Sequence, residues 1–349
     1  MRKHRSFFGA FGVAAAAGHA NCVTPMASSL RWRGTHAQTQ VRRPAARAAL
    51  SSSPDLGQFS VRSVIYLGNG VDRRYRSGRE AYYVLGRSAE EVERLQSQAA
   101  FIRPFTERLF RDAGIARGMK VLDLGSGAGD VALLAAHLVG QEGTVVGIDT
   151  NSAILEVARA RARDARHRNV SFEAGDIREL PLARDFDAVV GRYVLMFNSN
   201  PAHNMQEIVD HLRPGGIVAF QEPDFTQGPY AAPPSSLLDQ MGQWIVEAFR
   251  NSGADPEMGL KLRNLYLRAG LSDLHLEADR FIGGGADWGG YAHLAGLVKS
   301  VLPFLETSGI TTAKDVGPDT LEERLRQDIV SRDGVVVWLT VVRLWGRKQ

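Results

Sequence analysis

A doubly wound α/β fold is what this sequence predicts, and three observations predict it. Short apolar runs of strand length alternate with helix-length stretches between Met119 and Gln221, the pattern of crossover units in a parallel sheet covered on both faces. A loop with glycines at alternate positions, Gly125, Gly127 and Gly129, joins the first run to its helix, as expected where backbone must come close to a ligand. Composition is that of a globular chain: of 349 residues, 44% are hydrophobic and 23% charged, which argues against collagenous, coiled-coil and wholly disordered classes. The length exceeds one average domain of about 150 residues and falls short of three, so one decorated domain or two is expected.

The charge is uneven. The first acidic residue is Asp55, and the eight basic residues before it give residues 1–54 a charge of +8, leaving −4 on the rest of a chain whose formal total is +4. A mildly acidic body lacks the broad positive field that phosphate-backbone binding needs, so no nucleic-acid partner is expected. Residues 1–58 read as a leader, either a targeting segment (Arg-rich and Ala/Ser-rich) or a disordered extension. The expected location is cytoplasmic, or an organelle if the leader is a transit peptide. Cys22 is the sole cysteine, which leaves no intrachain disulfide and no thiolate set for zinc, and fits a reducing compartment. No window reaches the roughly 18 to 20 uninterrupted apolar residues of a membrane span.

The elements follow in order. Residues 59–114 are expected to form a helical cap, with Val92, Leu95, Ala99, Ile102, Phe105 and Leu109 at steps of three and four and Pro104 bending or dividing the helix. The main domain, 115–349, begins with strand Met119–Leu124 and a helix from Asp130, then strand Thr144–Ile148 and a helix from Ser152. Strands Val170–Glu173 and Phe186–Val190, a helix from Pro201 and strand Ile217–Gln221 continue the alternation. Two insertions, about 225–262 and 283–330, interrupt it. Between and within them lie helices near Leu237–Asn251 and Leu260–Ala269 and a strand near Ser272–Phe281. Asp333-Gly334, a pair suited to a hairpin, leads into a last strand, Gly334–Trp345.

The chemistry collects at strand ends. Asp123 stands two residues before Gly125 in Val121-Leu122-Asp123-Leu124-Gly125-Ser126-Gly127-Ala128-Gly129-Asp130. Asp149, followed by Thr150, ends the second strand, where an acid can accept both hydroxyls of an adenosyl ribose. Asp176 and Ile177 follow the third strand in Ala174-Gly175-Asp176-Ile177, and Arg213-Pro214-Gly215-Gly216 turns into the fifth. The loop is G-x-G-x-G and not the G-x-G-x-x-G of nicotinamide enzymes, although an oxidoreductase remains the alternative from another enzyme class.

With these four motifs in order, residues 115–225 resemble the class I S-adenosylmethionine-dependent methyltransferases of small-molecule type. The resemblance implies a Rossmann-like seven-stranded sheet with an antiparallel last strand, and S-adenosylmethionine as cofactor with S-adenosylhomocysteine as product. It implies that Gly125, Gly127 and Gly129 line the methionine part, Asp149 the ribose, and Asp176 with Ile177 the adenine, with Asp123, Ser126 and Thr150 also among the cofactor-binding residues. Arg192 is then expected near the sulfonium, and Tyr83 and Gln98 on a lid over the cofactor. A methyltransferase-like binding protein without turnover is the further alternative.

Methyl transfer is an in-line displacement in which positioning supplies most of the catalysis; a base matters only for an acceptor that must lose a proton. Glu222 and Asp224, in Phe220-Gln221-Glu222-Pro223-Asp224, and His203 are the candidate bases. No metal site is expected: Glu207, Asp210 and His211 fall on a crossover helix, where charges normally face water. Arg159, Arg161, Arg163, Arg166 and Arg168 read as a solvated helix face, not an RNA patch. Gly283-Gly284-Gly285 lacks a P-loop Lys-Ser/Thr pair and reads as a flexible joint. Trp244, Ile245, Phe249 and Met258 in the first insertion, and Trp288, Tyr291, Leu294, Leu297 and Phe304 in the second, are candidates for apolar walls around a small, partly apolar or aromatic acceptor.

Overall fold

The computed structural model describes residues 89–349, with side-chain surroundings from residue 99. Tyr83 and the expected leader lie outside the described residues. The chain opens with α1 (Ala89–Ala113), one continuous 25-residue helix with Pro104 inside it; the proline does not divide it. The alternation then runs β1 (Lys120–Leu124), α2 (Asp130–Val139), β2 (Thr144–Asp149), α3 (Ser152–Asp164), β3 (Val170–Ala174), β4 (Phe186–Arg192), α4 (Pro201–Asp210) and β5 (Leu212–Asp224). The C-terminal part adds β6 (Tyr230–Ala232), α5 (Ser236–Ser252), α6 (Met258–Arg268), β7 (Ser272–Gly284), α7 (Gly290–Thr307), α8 (Ala313–Val316), α9 (Leu321–Val330) and β8 (Val335–Arg347).

Side chains set the helix starts. Asn151 accepts from the Ala153 N–H at 3.1 Å to begin α3, Asn200 caps α4 with Pro201 in its first turn, and Ser235 accepts from Leu238 N–H at 3.1 Å to begin α5. Each satisfies a donor that the helix itself leaves open.

The strands form an eight-stranded sheet in the order β3-β2-β1-β4-β5-β8, with β7 on the far side of β8. β1 to β5 are mutually parallel, and β8 is antiparallel to both β5 and β7. The seven-stranded expectation is corrected by one short strand: β6 pairs with Val335–Val337 of β8, just beyond the stretch that β5 covers. Arg213-Pro214-Gly215-Gly216 loops out of register between the pairs Phe186↔Leu212 and Ala188↔Ile217. Asp333-Gly334 makes no hairpin. The Asp333 and Gly334 N–H groups bond back to Val330 and Ile329, so the pair closes α9 before β8 starts, with Asp333 at φ 49°.

The central strands are buried on both faces, which explains why they read as apolar runs. On one face Val121, Val145, Ala188, Val190, Ile217 and Ala219 pack with Leu109, Phe110, Val131, Ala135, Leu155 and Ala158 of α1, α2 and α3. The second core joins Leu122, Ile148, Val189, Val218 and Phe220 to the remaining helices, and takes in Ile102 of α1. The C-terminal half of α1 therefore packs into the cores on the sheet's faces. α1 is also fastened by charge: Arg343 of β8, almost fully buried, pairs with Asp112 at 2.9 Å, with Asp279 at 2.9 Å and with Glu277, while Arg108 pairs with Asp279. Among the described residues, no helix is long and apolar enough to cross a membrane.

Candidate active site

The glycine loop runs from the carboxyl end of β1 into α2, and its conformation depends on positive φ. Gly125 sits at φ 67°, and a Cβ there would lie 2.5 Å from Val194 Cγ2. Gly127, at φ 50°, has no atom within 4 Å of its Cβ position, so a ligand can lie against bare backbone there. Asp149, at the end of β2, spans the loop and the next helix: its Oδ2 accepts from Gly127 N–H at 2.9 Å and its Oδ1 from Asn151 N–H at 2.8 Å. Thr150, beside it, is exposed. Arg161 braces the loop from α3, donating to the Ala128 carbonyl at 2.6 Å and to Asp130 at 2.6 Å, while Arg159 donates to the Phe172 carbonyl at 2.6 Å. This corrects the reading of the arginine run: its first two members are spent on structure, not on solvent.

Asp123 is fully buried, and no side chain hydrogen-bonds to its carboxylate. Burial raises its pKa well above the ordinary carboxylate range; Arg192 pulls the other way, and Asp149 adds to the rise. The buried Ser126 Oγ is likewise unpartnered. Arg192, at the end of β4, donates to Thr106 Oγ1 at 3.2 Å, and Thr106 donates to Gln221 Oε1 at 2.8 Å. That bridge from β4 through α1 to β5 was not legible as a site, because its members are scattered along the sequence. At the third strand, Arg178 holds Asp176 by three hydrogen bonds of 2.5 to 2.9 Å and lowers its pKa. Ile177 is buried beside it. Gln98 falls within α1, on the turn before residue 99.

The candidate bases are placed differently from one another. Glu222 is fully buried within β5, and its carboxylate faces the turn after β4: Oε1 accepts from Val194 N–H at 2.9 Å and Leu195 N–H at 2.8 Å, and Oε2 from Met196 N–H at 3.3 Å. Burial raises its pKa to about 7 against the pull of these three bonds. Asp224, the last residue of β5, is buried and accepts from Thr226 N–H at 2.9 Å. His203 lies in the first turn of α4 with its side chain 54% exposed, 4.0 Å from Glu207. The expected apolar walls are in the core: Ile245, Phe249, Met258, Tyr291 and Leu294 are buried, and Phe249 packs on Phe197 and Phe225, with ring centroids 6.1 and 5.3 Å away. Among the described residues, no group of three His, Cys, Asp or Glu side chains is arranged to hold a metal ion.

This geometry fits an adenosylated amino-acid donor. Asp123 is a buried carboxylate with no side-chain partner, chemistry that suits a cation such as an ammonium, and Asp149 offers carboxylate oxygens of the kind that hydroxyls donate to. The open space over Gly127 accepts a ligand that a side chain would displace.

Residues 115–257 match the family described as methyltransferase domain. Aklanonic acid methyltransferase DauC of Streptomyces sp. (strain C5) is 35% identical over 159 residues, which cover 42% of this chain and 72% of that protein. The ubiquinone/menaquinone biosynthesis C-methyltransferase UbiE of Coxiella burnetii is 34% identical over 137 residues, covering 37% of this chain; the match spans 55% of that relative's length. Among solved structures, the YcgJ protein of Bacillus subtilis aligns over 70% of this chain and 98% of its own, with 16% identity and a TM-score of 0.48. A match at this identity across nearly three quarters of DauC is too extensive for a shared loop alone, and the chain belongs to the class I S-adenosylmethionine-dependent methyltransferases.

Proposed function

We propose that this enzyme methylates a small, partly apolar or aromatic acceptor. The observation that carries the reading is the cluster of Phe197, Phe225 and Phe249. Phe225 follows directly on the carboxyl end of β5, and Phe197 ends the short turn after β4, at the edge where open α/β sheets take their ligands. The names of DauC and UbiE, which refer to aklanonic acid and to ubiquinone and menaquinone biosynthesis, agree with such an acceptor. Two further points are part of the proposal: the acceptor is not a nucleic acid, since residues 55–349 carry a net −4, and the enzyme works in the cytoplasm.

In this reading Asp123 takes the donor's ammonium, Asp149 its ribose hydroxyls and Asp176 its adenine amino group, while Gly127 lets the loop backbone approach. Thr106 and Gln221 orient Arg192. When bound, S-adenosylmethionine supplies an electrophilic methyl group on a sulfonium. The protein's part is to hold donor and acceptor in line and dry, because alignment of the reacting atoms is where binding energy lowers the barrier most. The phenylalanine cluster excludes water without adding a local anion that would favour the charged ground state. Proton removal, where an acceptor needs it, falls to Asp224, since Glu222 is spent on backbone and His203 faces outward.

The test begins with calorimetric titration of the full chain with S-adenosylhomocysteine and, separately, with NADH. Methyl transfer from S-adenosylmethionine is then followed with a phenol, a hydroxynaphthoquinone and a simple alkylamine. Binding of S-adenosylhomocysteine and transfer to the ring compounds is the expected outcome. Transfer to the alkylamine alone overturns the acceptor class.

A further inference from the structure

We propose that Glu222 serves methyl transfer as a positioning residue, clasping the turn after β4 against the glycine loop, and that it does not act as a base. The inference rests on the proposed reaction but is drawn from backbone geometry. β4 ends at Arg192, and the chain turns sharply through Tyr193, a non-glycine residue at φ 56°, into a single 3-10 turn, Leu195–Phe197. Residues other than glycine rarely adopt that φ, and it persists only where the surroundings hold it. Two groups from β5 do the holding. The Gln221 carbonyl accepts from Tyr193 N–H at 2.9 Å, and the Glu222 carboxylate takes the next three N–H groups in succession. Those amides head a short helical turn with no partner inside it, so a carboxylate from a neighbouring strand does the work of an N-terminal cap.

The clasp accounts for most of what the carboxylate can do. An ionised carboxyl has about four lone-pair sites; Oε1 already receives two N–H groups and Oε2 one, in a side chain with no solvent exposure. Taking a proton from an acceptor requires an oxygen that the acceptor can reach, and here both point into the protein's own backbone. The turn in turn bears on the donor site. Val194, held by Oε1, packs against Gly125 so tightly that a Cβ on the glycine would meet Val194 Cγ2 at 2.5 Å. Glu222 thus sets the position of Val194, and Val194 sets the floor of the glycine loop. Arg192 and Phe197 flank the turn on either side.

A brace and a base respond in opposite order to two small changes. Glu222→Gln keeps an oxygen for Val194 and Leu195 and loses the weakest of the three bonds; Glu222→Asp keeps the charge and draws the carboxylate back by one methylene. For a brace, E222D weakens S-adenosylhomocysteine binding by about tenfold or more, on the scale of one or two lost charge-assisted hydrogen bonds, and E222Q weakens it by less. With any acceptor that turns over, E222Q then retains more kcat than E222D. Abolished kcat in E222Q with unchanged S-adenosylhomocysteine affinity overturns the proposal.

Amide hydrogen exchange on the wild type, E222Q and E222D gives a readout independent of cofactor and acceptor. Faster exchange at Val194, Leu195 and Met196 in E222D, with E222Q in between, is the expected pattern. Unchanged protection at all three amides in E222D also overturns the clasp, even if the chain bound no S-adenosylhomocysteine, an outcome that would count against the proposed reaction instead.

Discussion

Alanine at Gly125 puts the contact between the glycine loop and the β4 turn under direct strain. Two costs can be worked from the structure. At φ 67° a side chain in left-handed backbone costs about 1 to 2 kcal/mol. The new methyl would also lie 2.5 Å from Val194 Cγ2, far inside carbon contact distance, and overpacking of that kind costs about 1 to 3 kcal/mol. G125A is thus expected to lose about 2 to 5 kcal/mol in urea unfolding of the full chain, and to weaken S-adenosylhomocysteine binding because the loop must shift. Val194→Ala alone trims a partly buried side chain, at about 1 kcal/mol. In the double variant the 2.5 Å clash is gone, and only the Val194 Cβ contact at 3.1 Å remains. The two changes should therefore couple favourably by about 1 to 2 kcal/mol, well above the ~0.5 kcal/mol scatter of independent sites. Strict additivity would refute the contact, and with it the route from Glu222 to the donor loop.

Three other outcomes are expected. Asp149→Ala removes the acceptor for Gly127 and Asn151 N–H as well as that for a ribose, so S-adenosylhomocysteine affinity should fall about 100-fold by calorimetry; a change within twofold contradicts the ribose assignment. Glu222 has its pKa raised from 4.5 to about 7 by burial, so the folded chain holds a proton there that the unfolded chain has released. Its contribution to stability is then complete below about 4.5 and lost as pH rises through about 7, by about 3 kcal/mol. The stability of wild type relative to E222Q should fall by that amount from pH 4 to pH 8, and a constant difference argues against a raised pKa. Arg343→Met leaves Asp112, Glu277 and Asp279 without their shared cation and should cost about 3 kcal/mol in denaturant melts, at the low end for a broken buried pair because Glu277 and Asp112 can reach water; a loss under about 0.5 kcal/mol would show that Arg343 does not fasten α1.

The strands were legible where burial on both faces forces largely apolar runs, as in Val121–Leu124 and Phe186–Val190, and the conformation of the glycine loop was legible because its backbone takes positive φ at Gly125, Gly127 and Gly129. β6 was not, since Tyr230-Ala231-Ala232 has no periodicity and becomes a strand only because the end of β8 lies beside it. Asp333-Gly334 carries turn chemistry that suits a hairpin and a helix end equally; the neighbours decided. Arg161 looked like solvated charge because its task depends on α3 crossing over the glycine loop. Thr106 and Gln221 are 115 positions apart, and no local pattern links them. For Glu222 the sequence located the carboxylate at the right end of the sheet but could not reveal the direction in which it points, which separates a brace from a base.

The antiparallel final strand has a consequence for assembly. Residues 340–347 lie between β5 and β7, both made earlier, so during synthesis these two strands lack the partner they share. Until β8 arrives, each displays a row of bare amides and carbonyls, the kind of template that recruits strands from other molecules. Their pairing with β8 joins distant parts of the chain, slow by its topology, so these two edges are covered only once β8 has been made.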